Sequence, residues 1–144
     1  MKIFMMPPNS LILYDLIERF GHEPLSLMKA LRDRVTSNEI EAPPLNVTLD
    51  DVKLGLKYAG IEVPSGIRGR LAVYGPLIEQ AEAAIFMEDA PYSFGCVGCQ
   101  RTNELAKLLV RKRKVPILSL EYPSNEEEAK DMVYKVKQFL EGLK

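Results

Sequence analysis

The feature that most constrains this chain is the alternation in its second half. Ala83-Ala84-Ile85-Phe86-Met87 is a compact apolar run of the kind a buried strand needs, and Glu88-Asp89-Ala90-Pro91 breaks it with polarity and proline. A helical pattern follows from about Thr102 to Arg113, with Leu105, Leu108 and Leu109 turned inward. Residues 115–120 form a second strand-like run, and Ser124-Asn125-Glu126-Glu127 reads as a capping box that opens a last helix. On that helix Ala129, Met132, Val133, Val136, Leu140 and Leu143 share one face. Strand, helix, strand and helix in this order call for parallel strands joined by right-handed crossovers.

The first half fits the same scheme less regularly. Residues 2–6 read as a buried strand stopped by Pro7-Pro8. Asn9 or Ser10 can cap a helix carrying Ile12, Leu13, Leu16, Ile17 and Phe20, which Gly21 ends. Residues 22–28 are expected to form a second strand, weakened by Pro24. Residues 29–47 are polar, contain Pro43-Pro44, and read as a short helix followed by a loop. Thr48-Leu49-Asp50-Asp51 is a capping box with Asp in the acidic position, opening a helix to Ala59 that Gly60 closes. Short strands are expected at residues 61–63 and 70–74, a turn at Gly66-Ile67-Arg68-Gly69-Arg70, and a helix from Pro76 to Glu82. The economical solution is an α/β fold: a three-layer α/β/α Rossmann-like sandwich with a mostly parallel sheet of four or five strands, in one domain over residues 1–144.

Composition narrows the function classes. A chain of 144 residues, 47% hydrophobic and 27% charged, has the balance of an ordinary globular domain. With 19 Lys+Arg against 20 Asp+Glu it lacks the strongly basic footprint of a nucleic-acid binder. No apolar run approaches the roughly 18 residues of a membrane span, and the start is too soon broken by proline for a signal peptide. Its two cysteines lie three positions apart, so the expected compartment is the reducing cytoplasm and the expected role of the pair is chemistry or packing. The sequence leaves the oligomeric state open, a homo-oligomer included.

In parallel α/β sheets ligands sit beyond the carboxyl ends of the strands. That rule places Asn9 and Ser10, the stretch from Glu88 to Cys99, and Glu121-Tyr122 on one edge, with His22 on the other. The strongest candidate is Cys96-Val97-Gly98-Cys99, a C-x-x-C at the mouth of a helix. Helix N-termini favour thiolates, and Gly95 and Gly98 let backbone N–H groups approach a cluster sulfide or an anion. Arg101 adds positive charge.

Three chemistries compete with simple packing of two small side chains. Structural zinc needs four ligands, and the chain offers two Cys plus one His on the wrong edge. A dithiol suits the strand, C-x-x-C, helix order. An iron–sulfur cluster needs about four ligands and would have to be completed by another chain or by non-protein groups. Glu88 and Asp89 are candidates for acid, base or ligand, against the reading of a solvated turn. Arg111-Lys112-Arg113-Lys114 reads as the cationic close of a helix rather than a binding patch.

Two resemblances extend these readings. Ala83 to Glu88, Phe94-Gly95-Cys96, Glu104-Leu105, Val115 to Glu121 and Lys135 to Glu141 together resemble the last subdomain of 2-hydroxyacyl-CoA dehydratase subunits, over about residues 76–143. That resemblance implies a cysteine ligand to a [4Fe–4S] cluster, best matched by Cys96 with Cys99 as an extra, and an ATP-dependent activator as partner. The chain departs from those subunits in having no cysteine before Cys96, so a whole site of that type needs a second chain.

Over its full length the chain is similar to the methanogenesis marker protein 5 family. The residues that carry this are Pro7 to Leu11, Glu18 to Leu25, Glu88 to Pro91 and Phe94 to Cys99. Membership implies a cytoplasmic accessory protein of methanogenic archaea, tied to maturation or activation of methyl-coenzyme M reductase and acting with protein partners of that machinery. The expectation is that the C-x-x-C loop engages an iron–sulfur or redox centre shared with those partners. A small dithiol oxidoreductase using Cys96 and Cys99, and a non-catalytic binding or assembly module, are the alternatives.

Overall fold

The computed structural model describes residues 1–35, 47–88 and 97–143. Within them, strands β1 (Lys2–Met6), β2 (Glu23–Leu25), β3 (Ala83–Glu88) and β4 (Ile117–Glu121) form one sheet in the order β2-β1-β3-β4. All three pairings are parallel, with Phe4 opposite Ala84 and Ile85 opposite Leu118. Side chains alternate between the two faces, as strand geometry requires. Phe4, Met6, Ala84 and Phe86 enter one core, while Ile3, Met5, Ile85 and Met87 enter the other.

Each face is covered by helices, because strands buried on both sides leave no face for water. Helices α1 (Leu11–Arg19) and α6 (Glu126–Gly142) cover one face through Leu13, Ile17, Met132, Val136 and Leu140. Helices α2 (Leu27–Val35), α4 (Ser65–Gln80) and α5 (Val97–Lys112) cover the other, through Leu27, Val73, Tyr74, Ile78, Ala106 and Val110. The result is the expected three-layer α/β/α sandwich with an all-parallel sheet of four strands. A short helix α3 (Leu49–Leu54) and a 3-10 turn (Gly55–Lys57) pack on the outside of α4.

The capping signals at the start of α1 and α3 hold. Ser10 Oγ accepts from Leu13 N at 3.3 Å, and Thr48 and Asp51 form a reciprocal capping box. At α6 the cap lies one residue later than expected. Asn125 Oδ1 accepts from Glu128 N at 2.9 Å, while the Glu128 carboxylate accepts from both Ser124 N and Ser124 Oγ at 2.7 Å. Those bonds from Ser124, the backbone one foremost, hold the Glu128 carboxyl below its ordinary range.

The middle third differs from the sequence expectation. The second strand stops at Leu25, and α2 begins at Leu27 with Ser26 Oγ accepting from Lys29 N at 3.4 Å. Residues 61–63 are turn rather than strand. Residues 70–74 lie inside α4, and the expected glycine-rich turn and the helix from Pro76 belong to that same helix. Local composition favoured a turn, but Ile67, Leu71, Tyr74 and Ile78 recur at helical spacing and are all buried.

The glycines of α4 serve close packing rather than turning. A Cβ on Gly69 would overlap the Val47 side chain, and one on Gly75 would overlap the Tyr58 ring. Arg68 completes the attachment by donating to the Val63 and Val52 carbonyls, both at 3.0 Å. The expected loop at residues 36–46, with Pro43-Pro44, and the segment 89–96, with Gly95 and Cys96, lie outside the described residues.

Candidate functional site

Because every strand is parallel, Met6, Leu25, Glu88 and Glu121 all end on one edge of the sheet. Helix α5 starts there at Val97, five residues before its expected beginning, so Cys99 lies in its first turn instead of in a loop. Gly98 shares that turn. The Cys99 side chain is half-buried and turned toward α4, where Arg70 Nη1 donates to its sulfur at 3.6 Å. Nothing in the spacing of the sequence signalled Arg70, which reads locally as part of a turn. The arrangement sets a guanidinium beside a sulfur in the first turn of a helix, on the edge where the strands end.

Tyr74 lies one turn further along α4 and is buried. Burial pushes its phenol far above the ordinary tyrosine range; the Arg70 cation opposes that shift and Cys99 adds to it. The Tyr74 ring packs at a 59° tilt on Phe4 of β1, with centroids 6.3 Å apart.

Glu88, the other candidate on this edge, is engaged structurally. Its carboxylate accepts from Lys107 Nζ at 2.6 Å and Arg111 Nη2 at 3.2 Å. Lys107 also meets Glu104 at 2.7 Å. Burial alone would lower the Lys107 pKa, but hydrogen bonds to Glu104 and Glu88 outweigh it and hold the ammonium above its ordinary range. Sequence reasoning passed over Lys107, although its position on the stripe of Asn103, Ala106 and Val110 was a signal. A lysine on a buried stripe needs an anion. Arg111 further stacks on the Phe86 ring at 5.3 Å, consistent with the reading of the basic run as the close of a helix.

His22 lies on the opposite edge, as expected, and is buried. Its Nε2 donates to the Leu140 carbonyl of α6 at 3.0 Å, and its Nδ1 meets no partner among the described residues. Among the described residues no group of three or more His, Cys, Asp or Glu side chains is placed to hold a metal ion. The chain has two cysteines in all, half of the roughly four thiolates that a cluster takes, so its own donors do not fit a complete iron–sulfur site. Cys96 and Cys99 are the residues that would contribute to one completed by another chain. Among the described residues no helix is long and apolar enough to cross a membrane.

Comparison with known proteins adds a lineage to this geometry. A family model described as an uncharacterized protein conserved in archaea (DUF2112) matches residues 1–143. The chain belongs to this archaeal family. It is 60% identical over 142 residues to the uncharacterized protein MJ0404 of Methanocaldococcus jannaschii, covering 99% of this chain and 95% of that protein. No solved structure matches the chain significantly.

Proposed function

We propose that this archaeal protein is an accessory factor of methanogenesis, acting in maturation or activation of methyl-coenzyme M reductase. In this reading its C-x-x-C thiols contribute to an iron–sulfur or redox centre that partner chains complete. The observation that carries it is the Arg70–Cys99 contact in the first turn of α5. A half-buried sulfur with a guanidinium beside it, at the strand-end edge where parallel sheets take their ligands, suits a sulfur donor better than inert packing. The 60% identical uncharacterized protein of Methanocaldococcus jannaschii fits the archaeal side of this reading.

Anaerobic purification of the full chain, alone and with candidate partners, followed by iron, sulfide and EPR measurements, tests the reading. Iron bound only in the presence of a partner, and lost in C96S/C99S, is the expected result. Absence of iron in every combination, together with normal methane formation by a strain carrying C96S/C99S, overturns it. In that outcome the cysteines only pack and the protein is an assembly module.

A small dithiol oxidoreductase is the second reading, favoured by the placement of Cys99 in the first turn of a helix that follows a strand. A reversible two-electron couple in a thiol–disulfide titration supports it. A pair that stays reduced against strong oxidants excludes it.

A further inference from the structure

The two borders of the sheet are built differently. Strand β2, at one border, is three residues long and carries Pro24, both of which discourage pairing with a further strand. Strand β4, at the other, runs five residues with no proline and no charge before its last, Glu121. Its outer side pairs with no strand among the described residues. The register fixes which groups lie there. Ala84 N donates to the Pro116 carbonyl at 2.9 Å, so Ala84 and Phe86 turn their backbone groups toward β4, and Leu118 and Leu120 answer them. Ile117, Ser119 and Glu121 therefore point their N–H and C=O groups outward.

We infer that a second copy of the chain pairs along this border, β4 against β4 in antiparallel sense, with Ser119 on the two-fold axis. Ser119 then faces the partner subunit's Ser119, and Ile117 faces the partner subunit's Glu121. Each such pair exchanges two backbone hydrogen bonds, so every outward group of the strand is satisfied. The small, exposed Ser119 lets the strands meet on the axis, where a charged residue would face its like. Charge fits the same geometry. Ile117, Ser119 and Glu121 are level with Ala84, Phe86 and Glu88, so their side chains lie on the face that α5 covers. Helix α5 ends beside the amino ends of the strands, where Arg113 donates to the Ala81 carbonyl. The axis thus brings the exposed Glu121 carboxylate toward the basic run Lys112-Arg113-Lys114 at the end of the other copy's α5. A parallel pairing of two copies would set acid beside acid instead. On the other face Leu118 and Leu120 floor a groove of about 540 Å³ against Met132 of α6, and the pairing joins the two apolar floors. The inference is independent of the thiols of α5 and of any metal they hold.

Sedimentation velocity of the full chain across a concentration series gives the first test. A monomer–dimer equilibrium is the expected result, and a monomer at every concentration up to the solubility limit overturns the inference. Ser119→Lys and Ser119→Glu each set like charges on the axis and are expected to weaken the dimer about fivefold or more. Mixed together, the two variants are expected to recover the dimer, because opposite charges then meet. That recovery separates a blocked border from a damaged fold. A dimer that both variants leave intact, or a mixture no tighter than its components, overturns the inference. Should either variant fold poorly, amide hydrogen exchange in the wild type decides. Protection of the Ile117, Ser119 and Glu121 amides that rises with protein concentration supports the pairing, and a rise confined to other surfaces overturns it.

Discussion

The Lys107 ammonium lies 2.6 Å from a Glu88 carboxylate oxygen, tying the inner stripe of α5 to the carboxyl end of interior strand β3. The lysine side chain is 6% exposed and the glutamate 27%. This pair adds a polar tie to the apolar contacts that Ala106 and Val110 of α5 make in the core.

Lys107→Met should therefore lower stability by about 2–3 kcal/mol in urea denaturation. The loss falls below that for a fully enclosed pair because Glu88 keeps Arg111 and some contact with water. A loss under about 0.5 kcal/mol would show that the pair contributes nothing net. The folded lysine is held above its ordinary range, so its contribution is complete below the unfolded value and fades as pH climbs past it. The gap between wild type and Lys107→Met should accordingly narrow above about pH 10.4.

The α4 glycines should respond in opposite directions to alanine. Gly66 has open space around a would-be Cβ, so Gly66→Ala should stabilise by about 0.5–1 kcal/mol through helix propensity. Gly69→Ala and Gly75→Ala, forced against Val47 and the Tyr58 ring, should each destabilise by about 1–3 kcal/mol. Thermal melts of the three variants check the sign. A stabilised Gly75→Ala would mean that α3 and the 3-10 turn do not sit where the structure places them.

Tyr74 should stay un-ionised in the native protein through the range in which ordinary tyrosines titrate. Burial raises its folded value above the unfolded one, so it adds stability below about pH 10 and surrenders it as the pH rises further. Alkaline absorbance titration of Tyr74→Phe should match wild type while the fold persists and show one phenolate fewer after unfolding. A native titration that already lacks one phenolate would place Tyr74 in water.

His22→Ala should cost about 1–2 kcal/mol, by removing the bond that closes the last turn of α6 onto the amino edge of the sheet. Hydrogen exchange should show faster opening of α6 near Leu140 than elsewhere. Uniform loss of protection across the sheet would contradict a local tie.

The outer parts of the fold were legible because each rests on a local signal with a single physical meaning. The apolar runs ending at Met6 and Met87, the caps at Ser10 and Thr48, and the alternation after Ala83 all depend on neighbours within a few residues. The segment from Ile61 to Glu82 was not legible, since glycine and proline carry opposite meanings there depending on what packs against them. Gly69 reads as part of a turn in the sequence, yet in the fold it and Gly75 are the surfaces that let Val47 and Tyr58 approach. For the site, the edge and Cys99 could be placed from the chain alone, but Arg70 and Lys107 could not. Each meets its partner across 29 and 19 residues of chain, respectively.

The sequence by itself determined the α/β class, the parallel pairing in the second half and the edge on which Cys99 falls. These follow from the periodicity of apolar residues and from the handedness of crossovers, which act along the chain. Tertiary structure alone decided that residues 65–80 are one helix, that a guanidinium faces the Cys99 sulfur, and that Lys107 meets Glu88. Those outcomes depend on which surfaces become buried against one another, and burial is a property of the folded chain rather than of any stretch of it.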